Sequence, residues 1–115
     1  MKSFKFKVLG KSWKAKFLKS RAFYKRFNEK DIAVCEPHEK VIYYNLDYFS
    51  EETVRHELTH AFFDEMGYNA LELNKSDSED FSCELVAKHS AEILKLAREV
   101  FEHVKDIHPV ELMGA

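Results

Sequence analysis

His56, Glu57 and His60 stand in the run His56-Glu57-Leu58-Thr59-His60, an order of residue types suited to metal-assisted hydrolysis. Residues four apart on a helix share one face, one turn apart. His56 and His60 can therefore aim two imidazoles at one tetrahedral metal, and zinc holds such nitrogens at about 2.0–2.1 Å. Glu57, one residue round, can stand beside a water on that metal as general base without being a ligand. In a chain of this composition the string arises by chance with a probability of roughly a few per cent. The segment around it therefore decides.

That segment reads as a helix over about 51–66. Ser50 is placed as its N-cap, and Glu51 and Glu52 put carboxylates in the first turn, where the helix dipole favours them. Gly67 suits the position just past the end. Val54, Leu58, Ala61 and Phe62 form an apolar stripe, with the two histidines beside it. Thr59 reads as a local packing or capping residue, and Phe63 as core.

A catalytic zinc takes three protein ligands and keeps one position open. The acidic stretch 76–84 is the expected source of the third. Glu79 follows Ser76 by three residues, a capping-box spacing that would occupy it structurally. Asp80 lies one residue further round, on a face shared with Cys83, Glu84 and Ala87. Asp80 and Glu79 both stay open as the third ligand, with Glu84 a remoter candidate. Glu84 is better suited to take the outer N–H of a ligating histidine and fix its tautomer.

The elements before and after the motif set the fold class. Phe4, Phe6 and Val8 alternate with lysines, as do Trp13, Ala15 and Phe17 beyond Gly10, which predicts a β-hairpin with one buried and one basic face. Residues 20–28 fit either a short helix or an irregular bridge. A second strand pair is expected over 32–35 and 41–44, then the motif helix, a loop over 67–75 and a long helix over about 77–105. On that last helix Cys83, Val86, Ile93, Ala97, Val100 and Val104 form the expected apolar side. The reading is an α+β domain over 1–106, with an N-terminal antiparallel sheet followed by helices, and a flexible tail at 107–115.

The motif and its surroundings resemble the gluzincins, whose metal site is H-E-x-x-H plus a carboxylate on the next helix. The resemblance is nearest to their smallest members: minigluzincins, ImmA/IrrE-type peptidases and short phage- and prophage-encoded metallopeptidases. It rests on His56 to Phe62 (H-E-L-T-H-A-F), the Ile- and Tyr-rich strand Val41 to Tyr44, and a helix opening E-x-x-C-[DE]-[FL]-x-A at Asp80 to Ala87. It covers roughly residues 31–94. The ligand position holds Asp80 where the pattern has Glu, one methylene longer, so either the helix sits closer to the metal or Glu79 turns in. The resemblance implies a zincin-like fold and a zinc metallopeptidase in which Glu57 takes the proton of the metal's water. Its peptide or protein substrate would lie along the sheet edge, expected at the strand around 40–45. The alternatives are a catalytically inactive zinc-binding module of phage-regulator or inhibitor type, and a metal-free interaction domain.

Bulk properties narrow the rest. A length of 115 residues, 45% of them hydrophobic, suits one packed domain, and no apolar run approaches the ~18 residues of a membrane span. The start lacks a signal-peptide core, so a cytoplasmic protein is expected. Cys35 and Cys83 have no metal or redox spacing and are expected as buried, reduced thiols. Residues 1–30 carry eleven Lys or Arg and one acid, whereas the remainder carries seven bases and nineteen acids. The basic hairpin face lacks interleaved aromatics for stacking bases, which counts against nucleic acid and leaves an acidic partner or a solvated face. His38 reads as a turn residue and His89, His103 and His108 as helix-surface or tail residues. Tyr24, Tyr43, Tyr44 and Tyr48 include a candidate oxyanion stabiliser, with sheet packing the default for Tyr43 and Tyr44.

Overall fold

The computed structural model describes residues 3–28, 30–67 and 75–107. Alternating apolar and lysine residues extend into strands β1 (Phe4–Val8) and β2 (Lys11–Leu18), paired antiparallel with Phe6 opposite Trp13. The two-residue turn between them holds Leu9 and Gly10 at φ 48° and 82°, the left-handed pair a tight hairpin requires. Helix α1 (Ser20–Arg26) then crosses the outer face of the sheet, seating Phe23 against Val41 and Tyr43. Strands β3 (Ala33–Glu36) and β4 (Val41–Asn45) follow, and a 3-10 turn at Leu46–Tyr48 leads into α2 (Glu51–Glu65). Helix α3 (Lys75–Ile107) closes the described chain.

The fold is α+β, with one four-stranded sheet in the order β1-β2-β4-β3 and helices α2 and α3 on its inner face. The inner face contributes Phe6, Val8, Trp13, Ala15, Phe17, Ile42 and Tyr44 to the core. Val54, Leu58, Ala61 and Phe62 of α2 meet them, with Ile93, Ala97, Val100 and Val104 of α3. Phe17, Tyr44, Phe49 and Phe101 continue the packing as a run of stacked and edge-on rings.

Several expectations are corrected. The sheet is mixed: β1–β2 and β3–β4 are antiparallel, but β2 and β4 pair in parallel. Because α1 carries the chain past the place next to β2, β3 forms the outer edge and β4 folds back into the gap. The strand around 40–45 is therefore interior, and the edge beside α2 is β3. On α3, Cys83 is exposed and Val86 is 62% exposed, while Leu85 takes the core position at 4%. Both cysteines are free, and Cys35 is partly buried. His103 is not a surface residue: its ring packs at 5.0 Å from Phe4 and 5.9 Å from Phe17. His89 likewise packs against Phe62, at 5.5 Å. Helix α3 reaches Ile107, one residue into the expected tail; the rest of that tail, with His108, and positions 68–74 of the expected loop lie outside the described residues.

The exchange of faces on α3 has a measurable consequence. Leu85→Ala should destabilise by about 2–5 kcal/mol, as truncation of a buried leucine does, whereas Val86→Ala should stay within about 0.5 kcal/mol. Urea denaturation of the two variants checks this, and equal losses would mean that α3 is rotated from the orientation described.

Candidate metal centre

Helix α2 begins where the sequence reading placed it. Ser50 has extended backbone angles, and its hydroxyl accepts the Thr53 N–H at 3.1 Å. Glu51 in the first turn meets Arg98 of α3 at 3.0 Å, so the helix start is tied to its neighbour. The helix ends as Met66 N–H donates to the Phe62 carbonyl and Gly67 turns left-handed at φ 82°. Thr59 donates its hydroxyl to the Arg55 carbonyl at 2.7 Å, a local role. Phe63 packs against the core.

Between those ends the helix brings His56 and His60 together. Their Nε2 atoms lie 3.2 Å apart, with ring centroids 4.9 Å apart. Two nitrogens bonded to one tetrahedral zinc at about 2.0–2.1 Å stand about 3.3–3.4 Å apart, so the pair has the bite of a chelate. Both rings are exposed, on the side of α2 that faces β3. Glu57 turns inward and is 8% exposed. Burial pushes its carboxyl pKa up, His60 and His56 pull it down, and Asp31 adds to the rise.

Two concavities flank this trio. One, of about 980 Å³, is lined by His56, Glu57, Asp31, Tyr48 and Thr53 among others. The other, of about 310 Å³, runs along β3 past Ala33, Val34 and Cys35 to Glu57 and His60. Beneath Glu57 lie Tyr44 and Cys35. Burial, then the neighbouring Glu57, raises both: Cys35 to about 12, and Tyr44 well above the ordinary phenol range. The Tyr44 hydroxyl is buried with no hydrogen-bond partner among the described residues. Tyr48, by contrast, is 57% exposed and lines the larger concavity, which Tyr24, Tyr43 and Tyr44 do not.

The downstream carboxylates stand elsewhere. Helices α2 and α3 run antiparallel, with Phe62 against His89 and Glu51 against Arg98. His60 is thus level with the neighbourhood of residue 90, and Asp80 and Glu79 lie roughly ten residues, or about 15 Å of helix, beyond it. Both are exposed. Glu84 accepts from Lys88 at 2.7 Å, an i,i+4 pair. Among the described residues no group of three or more His, Cys, Asp or Glu side chains is poised around one metal position. Of the other carboxylates the fold brings to the site, Asp47 and Glu52 line the larger concavity and Asp31 lines both. Sequence reasoning passed over Asp31 because it belongs to no motif; its place depends on β3 being the edge.

Glu57 generates a pH prediction. Its folded-state pKa is raised, so the fold favours the protonated carboxyl. The associated stability is present below the ordinary value of 4.5 and is lost as pH rises through the folded value. In metal-free protein, Glu57→Gln should therefore raise the melting temperature at pH 7 by a few degrees and give no gain at pH 4. A lower melting temperature at pH 7 would show instead that the carboxylate is held by a donor.

No protein-family model, curated protein or solved structure matches this chain. The site stands on its own geometry.

Proposed function

We propose that the protein is a zinc metallopeptidase of zincin-like type, working in the cytoplasm, in which His56 and His60 hold the metal and Glu57 is the general base. The observation that carries this reading is the 3.2 Å approach of the two Nε2 atoms beside the buried Glu57. A zinc ion held there would polarise a peptide carbonyl and acidify a water. The chain's own residues do the rest. Glu57 would accept the proton of the attacking water and return it to the leaving amine. Peptide backbone would add to the outer edge of β3, alongside Ala33 and Val34, with the scissile bond at the histidine pair. Tyr48 is placed to donate to the carbonyl oxygen as charge develops on it.

The third ligand is the open choice between Asp80 or Glu79, implied by the gluzincin resemblance, and Asp31, which the fold sets beside Glu57. A binding module without catalysis is the second reading. It is favoured by the absence of a ready three-ligand cluster among the described residues.

Metal analysis of purified protein should find one zinc per chain, lost in His56→Ala and His60→Ala. Of Asp31→Ala, Glu79→Ala and Asp80→Ala, the variant that removes the ligand should lose at least about tenfold in zinc affinity, and the other two should retain it. Glu57→Gln should keep its zinc while cleavage of a peptide library falls by about 10²–10⁴-fold. Stoichiometric zinc in the double histidine variant would end the metal reading. Zinc retained with no library peptide cut by the wild type would favour the binding module.

A further inference from the structure

The outer face of the sheet carries a second feature, unrelated to the metal centre. Alternation along β1 and β2 sends Phe6, Trp13, Ala15 and Phe17 to the core and Lys5, Lys7, Lys14 and Lys16 to solvent on the other side. The register sets Lys5 directly opposite Lys14. Like charges so placed destabilise a strand pair. No carboxylate among the described residues pairs with any of the four, whereas Lys19, Lys40 and Lys88 all have acidic partners. A concavity of about 520 Å³ lies over them, bordered also by Lys40. Glu39, the one acid lining it among the described residues, is paired with Arg26.

Protection of a sheet edge explains lysines on β1, which is an edge strand. It does not explain Lys14 and Lys16, because β2 is paired on both sides, by β1 and by β4. Their chemistry indicates what the face meets. Protein-binding surfaces are depleted in lysine at their centres and anchored by exposed aromatics and arginine. Here the aromatic that the strands carry on this face, Tyr43, is 4% exposed and lies under Lys16 and Arg26, whose cationic ends stand 5.8 and 4.6 Å from its ring centroid. Single-stranded nucleic acid is held by stacking on exposed rings, which the lysine-bearing strands of this face equally lack. Lysine as a point charge suits phosphate oxygens, and contacts of that kind need no ring. Successive lysines on one strand are spaced by about 6.6–6.8 Å, and adjacent strands by about 4.8 Å, giving a lattice of charges.

We propose that this lysine face binds the phosphate backbone of duplex nucleic acid without reading its sequence. The lack of aromatics, which counts against single strands, leaves the duplex untouched. Binding is electrostatic and independent of the metal, so its failure would not bear on the zinc reading, nor the reverse.

The test is fluorescence anisotropy with a labelled mixed-sequence 20-base-pair DNA duplex, titrated with full-length protein between 50 and 200 mM salt. Four phosphate contacts predict a log–log salt slope of about −3.6. Lys14→Gln/Lys16→Gln should weaken binding at 50 mM salt by about tenfold and roughly halve that slope. Its melting temperature should not fall, because the change relieves the repulsion between Lys5 and Lys14. Lys88→Gln/Lys95→Gln on α3 should bind like wild type. A duplex left unbound at 50 mM salt, a flat salt dependence, or wild-type affinity in the Lys14/Lys16 variant would overturn the proposal. So would tighter binding of the single strand. Poly-glutamate of matched charge binding as tightly as the duplex would overturn it in favour of an acidic protein partner.

Discussion

The constraint on which this structure turns is that one helix must bury a carboxyl on its core-facing side. Glu57 lies one residue before Leu58 in the stripe Val54, Leu58, Ala61 and Phe62, near the sheet, at 8% exposure. A leucine there would add to the core. A carboxyl that is partly desolvated there, reaching solvent only through the two concavities, has its charged form disfavoured instead. Burial, with a smaller contribution from the same carboxyl, also drives the neighbouring Tyr44 and Cys35 toward their neutral forms. Retaining acidic groups in such a place is a pattern that sites of chemistry share, because a base must be kept partly desolvated to change its affinity for protons.

A second carboxylate on the same helix shows what a satisfied one looks like. The side chain of Glu65 is also largely covered, and burial alone would raise its pKa. Lys40 and Trp13 each donate to its Oε2 at 2.6 Å, and these bonds outweigh burial and hold the carboxyl below its ordinary range. Eight positions apart on one helix, the two groups are pushed in opposite directions by the presence or absence of donors. Glu65 is an anchor, joining the end of α2 to β2 and to the turn before β4. With Ser50 capping the other end and Arg98 holding Glu51, the helix is fixed at both termini, and Glu57 sits in the span between.

Local signals in the sequence survive into the structure, and non-local ones account for the differences. The hairpin, the Ser50 cap, the Gly67 terminus and the approach of His56 to His60 each depend on a few neighbouring residues. The parallel pairing of β2 with β4 depends on where α1 carries the chain, and strand alternation is blind to that. With it went the identity of the edge strand and the place of Asp31. Leu85 and Val86 were exchanged for a related reason. Positions 93–104 of α3 face the sheet and α2 together, whereas near 85–89 the neighbour is the far end of α2, around Phe62. The buried side therefore rotates along the helix, and a single stripe projected backward from Val104 lands on Val86, about 100° from Leu85. His103 was misread because a histidine among charged residues on a long helix looks solvated until Phe4 and Phe17 are brought against it.

The antiparallel register of α2 and α3 also bears on how a metal would be completed. Two imidazoles one turn apart can be supplied by any helix, but a third ligand must come from a different element, and its position is set by packing. Phe62 against His89, Glu51 against Arg98 and Phe49 against Phe101 fix that packing at three levels, from hydrophobic contact, ion pair and ring stacking respectively. Sliding α3 by about 15 Å to bring Asp80 level with His60 would break all three together. A carboxylate at the β3 edge requires no such change, since Asp31 already borders both concavities around Glu57. Loop movement at an edge costs far less than re-registering a packed helix. The cheaper route to a three-ligand site therefore runs through the sheet edge, and the helix-borne route would need α3 to dock differently when metal is bound.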